Sequence, residues 1–146
     1  MIRFKVVDDT VPPPALQTAG SVGYDVVAHS IAKSMDGGNI VLINTGVACQ
    51  PPPGHFFQLH ERSSLHKLGW VLCNSVGVVD MDYTGWVMAA LMKVRDNATP
   101  VEELVEGRLR ICQLVLHKAC TEFPVEVVDA LDATERGDGG FGSTSA

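Results

Sequence analysis

No stretch of this chain runs far before a proline, glycine or asparagine interrupts it, and twenty valines dominate the short apolar runs in between. β-Branched residues in brief runs bounded by turn formers fit a pleated, half-buried surface far better than a helix. Strands are expected at Ile2–Val7, Gly23–Ala28, Asn39–Thr45, His55–His60, Trp70–Cys73, Trp86–Val94, Arg110–His117 and Glu122–Val127. Pro12–Pro14 and Pro51–Pro53 cannot lie in a central strand and are read as connections. About eight short strands with a turn signal every ten or so residues suit an all-β jelly roll or barrel. Ser63–Leu68 is the one helical candidate, at most two turns, with Ser63 or Ser64 as N-cap. Glu102–Glu106 reads as a loop or short strand. A body over residues 1–128 is expected, followed from about Asp129 by a tail of falling hydrophobicity.

With 146 residues, one domain can bury a sizeable core without metal or disulfide staples. A formal charge of −6 argues against a broad nucleic-acid face, which needs a surplus of Lys and Arg, but allows a small cationic pocket. Cys49, Cys73, Cys112 and Cys120 form no C-x-x-C pair, so zinc is not expected, and Cys73 and Cys112 read as buried free thiols. His60-Glu61 with His66 imitates a metal-binding helix motif. Its histidines are six apart, about 240° around a helix, and cannot share a metal. His29, His55 and His117 read as unpaired surface or strand residues. The opening MIRFKVVDD alternates and carries charge, unlike a secretory leader, and no membrane span is apparent. A reducing, intracellular compartment, cytoplasmic or nuclear, is expected.

Five short segments carry chemistry, each with a plainer alternative. NSVGVVDMDYTGWV (74–87) fits a β-hairpin whose Gly77 and Gly85 permit close backbone approach, so that main-chain groups could read a pyrimidine edge. Asp80 would sit at the lip of an apolar slot and orient a water, or Asp80 and Asp82 are simple turn acids. ERSSLHKLG (61–69) combines a guanidinium, hydroxyls and helix-start amides into an anion site, or is an exposed arginine beside a helix cap. AGSVGYDV (19–26) could hold hydrated magnesium at Asp25, or Asp25 is an acidic turn residue. In RICQ (110–113), Arg110 is expected in a structural ion pair while Gln113 reaches a site. RGDGGFGSTSA (136–146) has too little apolar surface to fold alone, yet holds a guanidinium, a ring and hydroxyls that could close over a nucleotide.

Taken together and in this order, the five segments resemble the five motifs of the trimeric dUTPase family, over about Ala19 to Ser145. The resemblance implies a distorted jelly-roll β-barrel with one short helix and a flexible C-terminal arm (129–146), assembled as a homotrimer with each pocket drawn from three chains. It implies hydrolysis of dUTP to dUMP and pyrophosphate with Mg2+, while the acidic charge and the lack of an apparent span leave no nucleic-acid or membrane partner expected. By position, Asp80 would hold the attacking water. Asn74, Gly77, Val78, Val79 and the backbone of Met88 would read uracil, and Tyr83 would pack on the deoxyribose. Arg62, Ser63, Ser64 and Gln113 would hold phosphates, and Asp25 would bind magnesium through water. From the arm, Arg136, Ser143 and Thr144 would grip the γ-phosphate, with Phe141 over the base and Gly142 also contacting substrate. The arm is expected to be disordered when the site is empty.

The chain departs from the family at Trp86, where a polar residue is usual, at His66 in a second motif one residue short, at the placement of Gly107, and at Ser145. Two rival readings remain: a non-enzymatic trimer acting as an interaction or signalling protein, and the related dCTP deaminases.

Overall fold

The computed structural model describes residues 1–140. Its strands are β1 (Arg3–Val6), β2 (Gly23–Val27), β3 (Ser30–Met35), β4 (Ile40–Asn44), β5 (Val47–Gln50), β6 (His55–Glu61), β7 (Trp70–Leu72), β8 (Gly77–Val79), β9 (Met88–Lys93) and β10 (Arg110–Lys118). A short helix, α1 (Val101–Glu106), precedes β10. Two antiparallel four-stranded sheets, ordered β2-β10-β6-β8 and β3-β4-β9-β7, form the body, and β1 pairs with β5 beside them. This is a jelly roll with one short α-helix.

The alternation of the strands accounts for the core. In β6 the inward Phe57 and Leu59 are buried between half-buried Phe56, Gln58 and His60. Val41 and Ile43 of β4 and Ala89 and Leu91 of β9 line the facing layer with no exposed surface. Trp70 joins them, its indole N–H donating to the carbonyl of Thr99 at 2.8 Å. Seven of the eight expected strands are present, within one or two residues at each end.

The eighth is not. Glu122–Val127 forms no strand, and Phe123, Val125 and Val127 are 70 %, 94 % and 96 % exposed. Its apolar alternation predicts a strand, but alternation cannot supply a neighbouring edge to pair with. Regular structure in the described residues ends at Lys118. Two strands lacked an apolar signal or a clear boundary: β3 is a polar, mostly exposed edge (SIAKSM), and β5 follows the Gly46 turn closely.

Residues 102–106 are helix, not loop or strand. Val101, Leu104 and Val105 recur at helical spacing, Leu104 is fully buried, and Glu102 and Glu103 complement the positive helix start after Pro100. At Ser63–Leu68 only a single 3-10 turn forms, over Leu65–Leu68, with Ser64 at its N-cap but no side-chain capping bond. Cys73 is exposed, because β7 ends at Leu72 and the chain turns outward. Cys112 and Cys49 are buried, and burial pushes the Cys49 thiol up to about 11. His29 is paired after all, with its Nε2 3.5 Å from Asp8 Oδ2. Among the described residues no helix is long and apolar enough to cross a membrane.

Candidate active site

The segment 74–87 is not a hairpin. Its first half becomes β8, which pairs with β6 (Phe57 opposite Val79, Leu59 opposite Gly77). Its far end leads into β9, which pairs with β4 and β7 in the other sheet. The segment therefore crosses twice between sheets, and its turns stand at the rim of the barrel. Asn74 is exposed in the first turn, next to Ser75 at φ +63°. A Cβ added at Gly77 would lie 3.2 Å from Leu59 Cβ, so the glycine eases the close approach of β6, while Asn74 Nδ2 at 3.5 Å would remain in ordinary contact.

Asp80 follows β8 directly and is exposed. With Phe56, Val78, Met81, Asp82 and Cys120 it borders a cleft of about 510 Å³ that is more apolar than polar. A carboxylate at such a lip can hold a water against a ligand bound in the slot. Its main-chain carbonyl accepts from the N–H of Tyr83 at 3.2 Å, closing the turn. The Tyr83 hydroxyl donates to the carbonyl of Trp86 at 2.9 Å, which lays the ring across Gly85. Met88 opens β9 opposite Asn44 and is 39 % exposed.

A second, more polar cleft of about 340 Å³ is lined by Gln17, Ser21, Asp25, Arg62, Ser63 and Gln113, among others. Strand register brings three segments together here: Gln113 in β10 lies opposite Asp25 in β2 and opposite His60 in β6. The Gln113 amide folds over Gly23, where any Cβ would collide with it, and donates to the Glu61 carbonyl at 3.3 Å. Arg62 Nε is 3.1 Å from Asp25 Oδ1, and Arg110 Nε is 3.9 Å from Oδ2. Arg110 thus makes the expected ion pair. Two guanidinium groups share one carboxylate, which leaves a net positive charge for an anion in an acidic protein. Ser64 lies outside this lining, at the start of the 3-10 turn.

Asp25 Oδ2 is buried and makes no hydrogen bond. One such oxygen suits a water of a hydrated magnesium ion, whereas direct ligation needs more oxygen donors. Among the described residues no three His, Cys, Asp or Glu side chains converge as a metal cage. Outer-sphere holding therefore fits the donor set.

The two clefts stand at opposite ends of β6. Asp80 follows Val79, the partner of Phe57, whereas Arg62 follows Glu61 at the other end of the strand. Six residues separate the levels of Phe56 and Arg62, roughly 20 Å at about 3.3 Å per strand residue. One chain does not unite its own Asp80 with its own Arg62. Arg136 is exposed within a local turn, its Nε donating to the Gly139 carbonyl at 2.8 Å. Phe141, Gly142, Ser143 and Thr144 lie outside the described residues, as does the expectation of their disorder.

Glu61 is a residue that sequence reasoning passed over. Its Oε2 accepts from the N–H of Leu72 at 3.1 Å, tying the arginine-serine turn to the strand before Asn74. No local pattern could reveal it, because the partner lies in the opposite sheet.

A dUTPase family model matches residues 9–145 of the chain. The deoxyuridine 5'-triphosphate nucleotidohydrolase of Methylocella silvestris is 39 % identical over 140 residues, covering 93 % of this chain and 84 % of its own length. A variant of the Staphylococcus bacteriophage 80alpha dUTPase, solved with dUpNHpp, is similar in fold with a TM-score of 0.77 at 19 % identity, covering 100 % of this chain and 99 % of its own. A variant of the phage phi11 dUTPase of S. aureus, described with a structural Mg(II) ion, aligns with a TM-score of 0.70 at 16 % identity over 91 % and 99 %.

Proposed function

We propose that this chain, which belongs to the dUTPase family, builds each active site from more than one copy of itself. It hydrolyses dUTP to dUMP. A single hydrolysis at the α-phosphorus makes the second product pyrophosphate. The observation that carries the composite site is the separation along β6 of the carboxylate end from the phosphate-binding end. A closed threefold ring satisfies it, because a heterologous contact places the Asp80 end of one chain against the Arg62 end of its neighbour. The exposed apolar alternation of Phe123, Val125 and Val127 supports the same reading, as a segment suited to a surface outside its own body.

In that site the uracil edge meets main-chain groups of Gly77, Val78, Val79 and Met88 and the side chain of Asn74. A thymine methyl would be rejected there by clash with the turn backbone rather than by weaker affinity. The Tyr83 ring takes the deoxyribose face and leaves no space for a 2′-hydroxyl. Arg62, Ser63, Ser64 and Gln113 of the neighbouring chain hold the phosphates. The arm after the body, residues 129–146, supplies Arg136, Ser143 and Thr144 at the γ-phosphate, with Gly142 permitting close approach and Phe141 covering the base.

Asp80 orients a water in line with the α-phosphorus. The water oxygen forms the new bond to phosphorus as its proton passes to the carboxylate. The bond to the bridging oxygen of the β-phosphate breaks, and pyrophosphate leaves with that electron pair. Magnesium, when bound, offsets the triphosphate charge, and Asp25 would hold it through water. Four free cysteines among the described residues accord with a reducing intracellular setting.

Complementation tests the reading. Asp80→Asn and Arg62→Gln chains should each turn over dUTP poorly. Unfolded together and refolded as a mixture, they should regain about a quarter of wild-type pyrophosphate release, since each site draws the two residues independently from different chains. No recovery on mixing would place both residues in one chain's site.

A further inference from the structure

The turn that presents Tyr83 is braced from outside by a contact that no motif includes. The Tyr83 hydroxyl donates to the Trp86 carbonyl, and the indole of Trp86 lies under the ammonium of Lys5, whose Nζ is 5.4 Å from the ring centroid. Lys5 is in β1, paired opposite Ala48 of β5. The residue after Trp86 is bound to the same ladder: the Val87 N–H donates to the Val47 carbonyl at 2.8 Å, and the Val87 carbonyl accepts from the Thr45 hydroxyl at 2.9 Å. The chain is therefore anchored on the far side of Trp86 by β5 and over its ring by β1. On the near side, at Asp80–Gly85, it is exposed and held by the Asp80–Tyr83 turn bond.

We propose that Lys5 and Trp86 form a positioning pair for Tyr83, fixing the ring at the distance from the sugar that excludes a 2′-hydroxyl. The proposal rests on Tyr83 being the sugar-facing residue, as argued above. A backbone carbonyl can hold the Tyr83 hydroxyl only as firmly as residue 86 is itself held. A cation over an indole face is an attraction that a neutral chain of equal length lacks. The β1 lysine gives the indole of Trp86 a partner outside its own turn. A slack ring would still allow dUTP to bind but would lose part of its rejection of UTP, because steric exclusion depends on the wall not moving.

The test is the ratio of kcat/KM for dUTP to that for UTP, with kcat and KM resolved separately. Tyr83→Ala should collapse the ratio. Lys5→Met should lower it roughly two- to fivefold, through a rise in KM for dUTP and easier admission of UTP, with kcat for dUTP unchanged. Lys5→Arg should restore it, since a guanidinium also sits on an indole. Trp86→Leu should match Lys5→Met, and adding Lys5→Met to it should cause no further loss. If Tyr83→Ala lowers the ratio and Lys5→Met does not, the positioning pair is wrong and the sugar-facing role survives. If Tyr83→Ala leaves the ratio intact, both ideas fall. A loss in Lys5→Met that Lys5→Arg does not restore also overturns the pair.

Discussion

Gly85 lies directly beneath the ring of Tyr83: a Cβ added at residue 85 would stand 2.6 Å from the tyrosine hydroxyl and 2.7 Å from Cζ. The glycine is there for space, not for backbone freedom, as Gly85 is not among the positive-φ residues. Gly85→Ala should lift the ring without unfolding the protein. Nucleotide KM should rise about tenfold while the thermal midpoint stays within a few degrees, as kinetics and calorimetry on one preparation would show. An unaltered KM would mean that the ring is not held where the substrate binds.

Asp25 joins two arginines while only 8 % of its side chain is exposed. Asp25→Asn leaves both guanidinium groups without their counter-charge, and Arg62 is itself two-thirds buried. A loss of about 1–3 kcal/mol in unfolding free energy is expected, discounted from fully buried pairs because Arg110 is half exposed. Urea titration monitored by Trp fluorescence measures it, and an unchanged midpoint would assign the cluster to ligand binding alone.

Asp80 is exposed and packs against little, so Asp80→Asn should change stability by less than about 0.5 kcal/mol. Turnover should fall by roughly 10²–10⁴, the usual worth of a positioned general base, while affinity for dUpNHpp persists. Comparable losses of binding and turnover would instead mark the residue as a ligand contact.

The cysteines divide into two classes. Cys73 and Cys120 are exposed and should alkylate in the native protein, whereas Cys49 and Cys112 should react only on unfolding. Burial raises the Cys49 thiol from 9.0 to about 11, and burial with the Glu61 carboxylate raises Cys112 further. Raised folded-state values favour the folded form fully below pH 9, and that advantage is lost as pH climbs toward and beyond 11, because the unfolded thiols ionise first. Mass-resolved labelling and unfolding at pH 8 and pH 10.5 check both halves.

What could be read from residue order alone was whatever depends on near neighbours. Short apolar runs bounded by turn formers marked β4, β6, β9 and β10 as strands, because strand preference and turn chemistry act between near neighbours. The polar edge β3 was invisible for the same reason, since it buries too little to leave a pattern. Glu122–Val127 shows the converse, a clear alternation with no partner edge within the described chain.

The candidate site divides in the same way. Residue types and order were enough to single out Asp25, Arg62, Asp80 and Gln113, because each chemistry needs its own functional groups, and the family resemblance added Tyr83. Only the tertiary structure sets Gln113 over Gly23, joins Arg62 to Asp25 across two strands, crosses residues 74–87 between sheets and puts Asp80 at the opposite end of β6 from Arg62. Those relations follow from strand register and sheet order, which couple residues tens of positions apart and leave no trace in any short window of the chain.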